Sequence, residues 1–529
     1  MRGRTLSKSH FRKITFLNSE NNGSLAFPPY PGLVRPRTEI RAIPVPNSQI
    51  LTALAYLGVS IALRSLTFGN PVVHIDEQFY LLVGDRMLHG ALPYIDIWDR
   101  KPFGLFLIFA AIRKLGGDGI VEYQIVASLF AGATAMVINR LARCIAPAVG
   151  AFWAGIAYLL YLLVANCAGG QTPVFYNLFV ALAALTTFKA IRFRNYPALA
   201  FAGAFPMLLA GIAIQIKYTA LFEGIGLGLA LMWRARADGL PIRRIAGLSL
   251  LWIACALAPT LLAYGYYVSI GHGDIFLSSN FMSIFGRRDP LLPALGRLVI
   301  ETLALTPFWL TIFHARRRLQ RVTGAAPEAM VLLAWWATCA IIGFLLFGTY
   351  FDHYTAPLLP PLTVLAAPGL GRPGAGRQYT TWLIGLGLVA GIGEVVVNRL
   401  SRGNRAEVEK MTSLIQSRLG TGCLYVYEGD PILYKTTGAC LATRYIFPSH
   451  LDTTVEAKAI GVDPVREVER IMATKPAVVV LGQSPIWVHP NLETRRVVET
   501  ALGRGYRCDT TAWVGQSEYK ICDRRMIAG

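Results

Sequence analysis

The chain has 529 residues, of which 54% are hydrophobic and 16% charged, and its formal net charge is +20. A soluble protein carries nearer a quarter charged residues, so one large soluble globule is excluded. The excess of cations leaves two partner classes, nucleic acid or the inner face of a membrane, and the placement of the charges decides between them.

Residues 1–46 hold eight Arg/Lys, two Glu and Pro28, Pro29, Pro31, Pro36, Pro44 and Pro46. This composition predicts a disordered basic tail. No apolar core with a cleavage site follows a short basic start, so a cleaved signal peptide is not expected. From there to about residue 400 the chain is a series of apolar windows. They begin near Ile50, Val121, Val149, Val174, Leu199, Tyr218, Ile245, Leu295, Met330, Tyr354 and Tyr379. About 20 mostly apolar residues cross the hydrocarbon as a helix, so about eleven transmembrane helices are expected.

The connections alternate in charge. The tail, Arg140/Arg143, Arg192/Arg194, the Arg234–Arg244 cluster, Arg316–Arg321 and Arg372/Arg377 are basic, whereas "NCAGGQTP" and "GTYFDHY" contain no Lys or Arg. The positive-inside rule puts the tail in the cytoplasm, and an odd span count puts the C-terminal region outside. The net charge is then mainly a topology signal, and nucleic-acid binding loses its support.

Between the first two windows lies an external loop, about residues 69–120. "DEQFYLLVGDRMLHG" sets Phe79, Leu82, Val83 and Met87 against Asp76, Gln78, Asp85 and Arg86 at helical spacing. "FGLFLIFAAIRKLGG" is too short to cross. Both are expected to be helices at the outer interface.

From residue 401 the composition becomes that of an ordinary α/β domain. "CLYVYEG" and "KPAVVVLGQ" read as buried strands; "RAEVEKMTSLIQSRLG", "DPVREVERIMAT" and "NLETRRVVETALGRG" read as helices. Cys423, Cys440, Cys508 and Cys522 all fall here, an even number in an oxidising space. "YRCDTTAWVGQSEYKICD" reads as a hairpin, which favours Cys508–Cys522 and then Cys423–Cys440. Cys144, Cys167, Cys255 and Cys339 lie in or near spans and read as small apolar fillers. No Cys/His spacing supports a zinc site.

The external loop holds the chemistry-bearing residues: His74, Asp76 and Glu77, then Asp96, Asp99, Arg100 and Lys101 in "YIDIWDRKPFG". Two carboxylates in a helix's first turn also suit its dipole without any further role. Lys217 in "IKYTALFE", with Glu223 six residues on, and His353 and Tyr354 in "YFDHYTAPLLPPL" lie near the same membrane face, where ionisable groups mark a site. Arg287 and Arg288 sit in another external loop, placed to fold over a lipid head group. Carboxylates and cations at one mouth are what transfer from a lipid phosphate needs: a base for the acceptor and positive charge for the leaving phosphate.

At these residues the chain resembles the polytopic C-type (GT-C) glycosyltransferases, the superfamily that includes protein O-mannosyltransferases and lipid A aminoarabinose transferases. The matching pattern is Asp76-Glu77, Tyr80, Pro93-Tyr94, Asp96, Trp98-Asp99 and Lys101-Pro102, with Phe103 where that pattern has a second Pro. "KYTALFE" and "HYTAPLLPPL" are similar to later motifs of the family, giving Lys217, His353 and Tyr354. The resemblance implies a GT-C-like membrane domain over residues 47–400, and the composition and charge rule set a periplasmic α/β domain over 401–529. It implies a polyprenyl-phosphate sugar donor and a lipid, polysaccharide or protein acceptor, with the enzyme in a bacterial inner membrane. By it, Asp76 is the catalytic base and Glu77 its partner. Arg100, Lys101, Lys217 and His353 meet the donor phosphate. Tyr80, Tyr94, Asp99, Tyr354, Arg287 and Arg288 line the substrates. A divalent metal is compatible with the family, but the loop "GGQTPVFYN" has Gln171 and Thr172 where many members have an acid, so no metal ligand is assigned. A transporter or flippase of lipid-linked sugars and a noncatalytic membrane scaffold are the rival readings; the first predicts charges at the bilayer midplane and internal repeats.

Overall fold

The computed structural model describes residues 47–322 and 327–525, and the basic tail lies outside them. These described residues form one compact unit. A helix begins within a few residues of every predicted span start except Tyr354. Seven of these helices are long and apolar enough to cross a membrane, among them Ile120–Ala142, Ile242–Ser269 and the helix that starts at Ala375. Of the other four, Val331–Phe347 is a shorter apolar stretch, and the remaining three fall short for visible reasons. Ala148–Val164 has 17 residues. Ala220–Ala237 carries Glu223, Arg234 and Arg236. The segment at Tyr354 is broken into short 3-10 turns before the eight-residue helix Leu359–Ala366, because Pro357, Pro360 and Pro361 remove backbone donors in succession. The outward faces of the long helices stay apolar and exposed, as at Leu250 and Leu262, which suits lipid contact.

Both predicted loop helices form, Ile75–Met87 and Phe103–Arg113. At about 1.5 Å per residue the second is far too short to span. They touch closely: a Cβ on Gly84 would meet the Phe109 carbonyl carbon at 2.6 Å. Arg113 Nε donates to Asp85 Oδ1 at 2.8 Å across the pair. The expected amphipathic pattern of the first helix does not hold. Every residue from Glu77 to Gly84 is buried, Gln78 included. The cause is a second layer: the C-terminal domain covers the face that was expected to meet water.

That domain is a five-stranded sheet of β1 (Cys423–Val426), β2 (Cys440–Leu441), β3 (Val478–Gly482), β4 (Tyr506–Val514) and β5 (Ser517–Arg524), in the order β2-β1-β3-β5-β4. β1 pairs parallel with β2 and β3, and β5 pairs antiparallel with β3 and β4. Both expected disulfides are present. Cys423–Cys440 ties β1 to β2, and Cys508–Cys522 ties β4 to β5. The four membrane-region cysteines are free.

Two joints hold the domain on the membrane helices. The helix Ala375–Arg402 ends at Gly403, whose φ of 94° favours a residue without a Cβ, and Asn404 then caps Arg405–Leu419 with a capping box to Glu407. The second joint is Trp98. It is 5% exposed and belongs to the domain's own apolar core, with Tyr425, Val468 and Val479. Its backbone N–H donates to the Arg444 carbonyl at 2.9 Å, and its ring meets His450 edge-on at 4.7 Å. The residues that follow it, Asp99 to Lys101, are therefore fixed by docking rather than left in a free loop.

Candidate functional site

A cavity of about 840 Å³ opens between the helix ends and the C-terminal domain. Asp76 reaches it from the first turn of Ile75–Met87. His74 caps that helix, its Nδ1 accepting from the Asp76 N–H at 3.2 Å. Lys101 Nζ lies 3.9 Å from Asp76 Oδ1, and His74 Nδ1 lies 4.0 Å from Asp76 Oδ2. Burial alone would raise the Asp76 carboxyl, but Lys101, with His74, His353 and Lys217, outweighs it and holds it well below the usual carboxylate range. Burial pushes His74 down to about 3, so it faces Asp76 as a neutral ring.

The loop after Trp98 is built to aim cations. Asp99 Oδ1 accepts from the backbone N–H groups of Arg100 and, at 2.7 Å, Lys101. Tyr94, at φ 71°, donates its hydroxyl to the Lys101 carbonyl at 2.8 Å. Lys101 then lies 5.2 Å over the Tyr80 ring. Burial would lower the Lys101 ammonium, and Asp76 and Asp99 raise it.

Across the cavity Lys217 Nζ sits 4.3 Å over the Tyr354 ring. Burial pushes Lys217 down; Tyr354, Lys101, Asp76 and Arg287 are the charges and dipoles it feels. Arg287 is half-buried, and Tyr354, Glu456 and Asp289 hold its charge in place. His353 Nδ1 lies 3.0 Å from Asp352 Oδ1, and Asn166 Nδ2 donates to Asp352 Oδ2 at 2.7 Å. Thus Asp76, Asp99, Arg100, Lys101, Lys217, Arg287, His353 and Tyr354, drawn from five separate segments, line one cavity.

Four expected site residues are elsewhere. Glu77 points away from Asp76 and is fully buried, with neither carboxylate oxygen in a well-formed hydrogen bond. Consecutive helical residues are about 100° apart, so two adjacent acids cannot both face one cavity. Glu77 instead packs on the Gly169-Gly170 turn, where a Cβ on Gly169 would meet Glu77 Oε2 at 2.0 Å. Burial raises Glu77 to about 7; the Gly170 amide, Tyr123 and Arg64 oppose the rise. Tyr80 lies beneath Lys101, and Tyr94 supports the loop from behind. Arg288 turns to the C-terminal domain, its backbone N–H donating to the Val455 carbonyl at 3.2 Å. Glu223, flagged by its depth, accepts from Trp336 Nε1 at 2.9 Å, away from the cavity.

Residues not singled out in the sequence complete the wall. Arg297 and Arg402 come from span ends, and Asp289 from the loop with Arg287. Asp430, Glu456, Trp487, His489 and Tyr519 come from the C-terminal domain. Asp430 Oδ1 accepts from Gln78 Nε2 at 2.8 Å, which ties that wall to the Asp76 helix.

The residues present do not fit a divalent ion at Asp76. Its second neighbour is Gln171 Nε2, a donor, 3.5 Å from Oδ2, and the Lys101 ammonium would repel a metal beside it. Among the described residues no group of three or more His, Cys, Asp and Glu is arranged to hold one.

No protein-family model and no curated protein matches this sequence. Solved structures do match. ArnT from Cupriavidus metallidurans bound to undecaprenyl phosphate superposes with a TM-score of 0.63 at 16% identity, covering 91% of this chain and 98% of that one. Its apo state gives 0.62 at 14% identity, over 90% and 98%. The Archaeoglobus fulgidus oligosaccharyltransferase, tethered with an acceptor peptide, gives 0.50 at 10% identity, over 83% of this chain and 69% of that one. The chain therefore has the GT-C glycosyltransferase fold: a multi-pass helical membrane part followed by a small α/β domain.

Proposed function

We propose that this protein is an integral-membrane glycosyltransferase that moves a sugar from a polyprenyl-phosphate donor to an acceptor at the outer face of a bacterial inner membrane. The observation that carries the reading is Asp76 facing Lys101, Lys217 and Arg287 inside one cavity at the helix ends. The fold shared with ArnT, whose structure holds undecaprenyl phosphate, supports the lipid-phosphate donor.

In this reading the acceptor's hydroxyl or amine attacks the anomeric carbon from the face opposite the phosphate. Its proton passes to the Asp76 carboxylate. The bond between the anomeric carbon and the phosphate oxygen breaks, and its electron pair stays on that oxygen. The leaving phosphate gains negative charge, which Lys101, Lys217 and Arg287 stabilise from fixed positions. Lys101 links the two events. While it pairs with Asp76 it keeps the acid ionised but weakly basic. A donor phosphate draws the ammonium toward itself, and burial then raises the affinity of Asp76 for a proton. Water exclusion comes from the docked C-terminal domain. No step needs a metal.

The helix directions support the topology. Arg140, Arg192 and Arg234 lie at helix ends away from the cavity, whereas Asn166, Lys217, Phe347 and Arg402 lie at ends that line it. With the basic ends inside, the cavity and C-terminal domain are periplasmic and the tail is cytoplasmic. The charges gather at one face rather than the midplane, which disfavours a transporter.

The reading is tested with the purified full chain in nanodiscs and farnesyl phosphate as a short prenyl-phosphate probe. Lys217→Ala and Arg287→Ala are expected to weaken its binding about tenfold or more each. Unchanged binding in both variants would remove the phosphate role from this wall.

A further inference from the structure

The donor side of the cavity carries a carboxylate that the proposed chemistry does not use. Glu456 comes from the C-terminal domain, is 7% exposed and lines the cavity. One oxygen pairs with Arg100, and the other lies 3.6 Å from Arg287 Nε. Its backbone is fixed. Arg288 N–H donates to the Val455 carbonyl, and a Cβ on Gly286 would meet the Lys458 carbonyl oxygen at 2.2 Å. Burial would raise the Glu456 carboxyl, and Arg100 and Arg287 outweigh it, so the group is an anion in place.

Arg287 is thus shared among Tyr354, Glu456 and Asp289, whose Oδ2 lies 2.9 Å from its Nε. Glu456 stands between Arg287 and Arg100, one carboxylate oxygen toward each. The two other guanidinium groups of the wall are committed elsewhere. Arg297 Nε donates to the Thr349 carbonyl at 2.8 Å, and Arg402 Nη1 donates to the Val73 carbonyl.

We propose that Glu456 is a specificity-determining residue that closes the donor site at a single phosphate, admitting a polyprenyl monophosphate and rejecting a diphosphate. The inference rests on the donor-phosphate reading above. A second phosphate extending along Arg287 would meet a buried anion already paired with the cations it needs. It would add like charge in a medium of low effective dielectric, where one such contact changes affinity by roughly tenfold to a hundredfold. The C-terminal domain therefore reads the donor's phosphate count, besides covering the site.

The test is competition binding of farnesyl phosphate and farnesyl diphosphate to the full chain in nanodiscs. Wild type is expected to prefer the monophosphate. Glu456→Gln releases Arg100 and takes one of two carboxylates from Arg287, leaving Asp289 at 2.9 Å, and is expected to shift the preference toward the diphosphate by roughly tenfold or more. Glu456→Asp keeps the anion and is expected to retain the wild-type preference, which separates a charge effect from misfolding. An unchanged ratio in Glu456→Gln, or equal loss of both ligands, would mean that Glu456 only holds the arginines in place and would overturn the proposal. Wild type that binds neither probe would instead overturn the donor-phosphate reading, and this inference with it.

Discussion

Replacing Glu77 by Gln separates the two neighbouring acids. Glu77 is fully buried and its carboxyl is raised from 4.5 to about 7, chiefly by burial. An acid whose folded pKa lies above its unfolded one holds its proton in the native state and loses it only at a cost. The native state is thus undisturbed below about pH 4.5, and a penalty grows from there to about pH 7 and stays constant above. At about 1.4 kcal/mol per pKa unit the full penalty is about 3 kcal/mol. Glutamine has the same shape and no charge to bury. Thermal unfolding of the purified full chain, wild type against Glu77→Gln, should therefore differ little at about pH 4.5 and should favour the variant at about pH 8. Sugar transfer should survive the change, since Glu77 lies behind the cavity wall. A stability difference that does not grow with pH, or a transfer loss as large as that of an Asp76 variant, would refute this placement of Glu77.

Other expectations follow from single contacts. Trp98→Ala removes a side chain buried in the C-terminal domain's core and should cost about 3–5 kcal/mol of docking, read as faster hydrogen exchange over residues 93–102 and 443–456. Gly169→Ala places a Cβ 2.0 Å from Glu77 Oε2 and should lower the unfolding temperature, more so than Gly265→Ala, which meets nothing within 4 Å. Each disulfide closes a short loop, with sequence separations of 17 and 14 residues, and its loss through a double Cys→Ala variant should cost about 3 kcal/mol in chemical unfolding. A reporter active only outside the cytoplasm should be active when fused after Gly529, and a silent fusion would reverse the topology.

The membrane part was legible because length and apolarity alone define a crossing helix, and the disulfides because four cysteines lay in two short separations. The external-loop motif was legible because Asp76, Arg100 and Lys101 lie close in sequence. What stayed hidden depended on a second body. The pattern from Phe79 to Met87 is amphipathic on paper, yet Gln78 is buried because it bonds Asp430, more than 350 residues away. Glu456 carried no local signal at all; only the fold brings it to Arg100 and Arg287. Arg297 and Arg402 did carry one. They stand at the helix ends that the charge rule leaves bare of cations, so each is a cation out of place for topology. Adjacent acids misled for a geometric reason, since neighbours on a helix look in different directions.

The central claim is that Asp76 takes the acceptor's proton beside a bound lipid phosphate. The most direct measurement compares envelope glycans by mass spectrometry in cells making wild type, Asp76→Asn or no protein, alongside farnesyl phosphate binding by the purified variant. The account predicts a glycan profile for Asp76→Asn like that of cells without the protein, with transfer reduced about a hundredfold to ten-thousandfold and phosphate binding retained. A wild-type glycan profile from a membrane whose only copy is Asp76→Asn would contradict it.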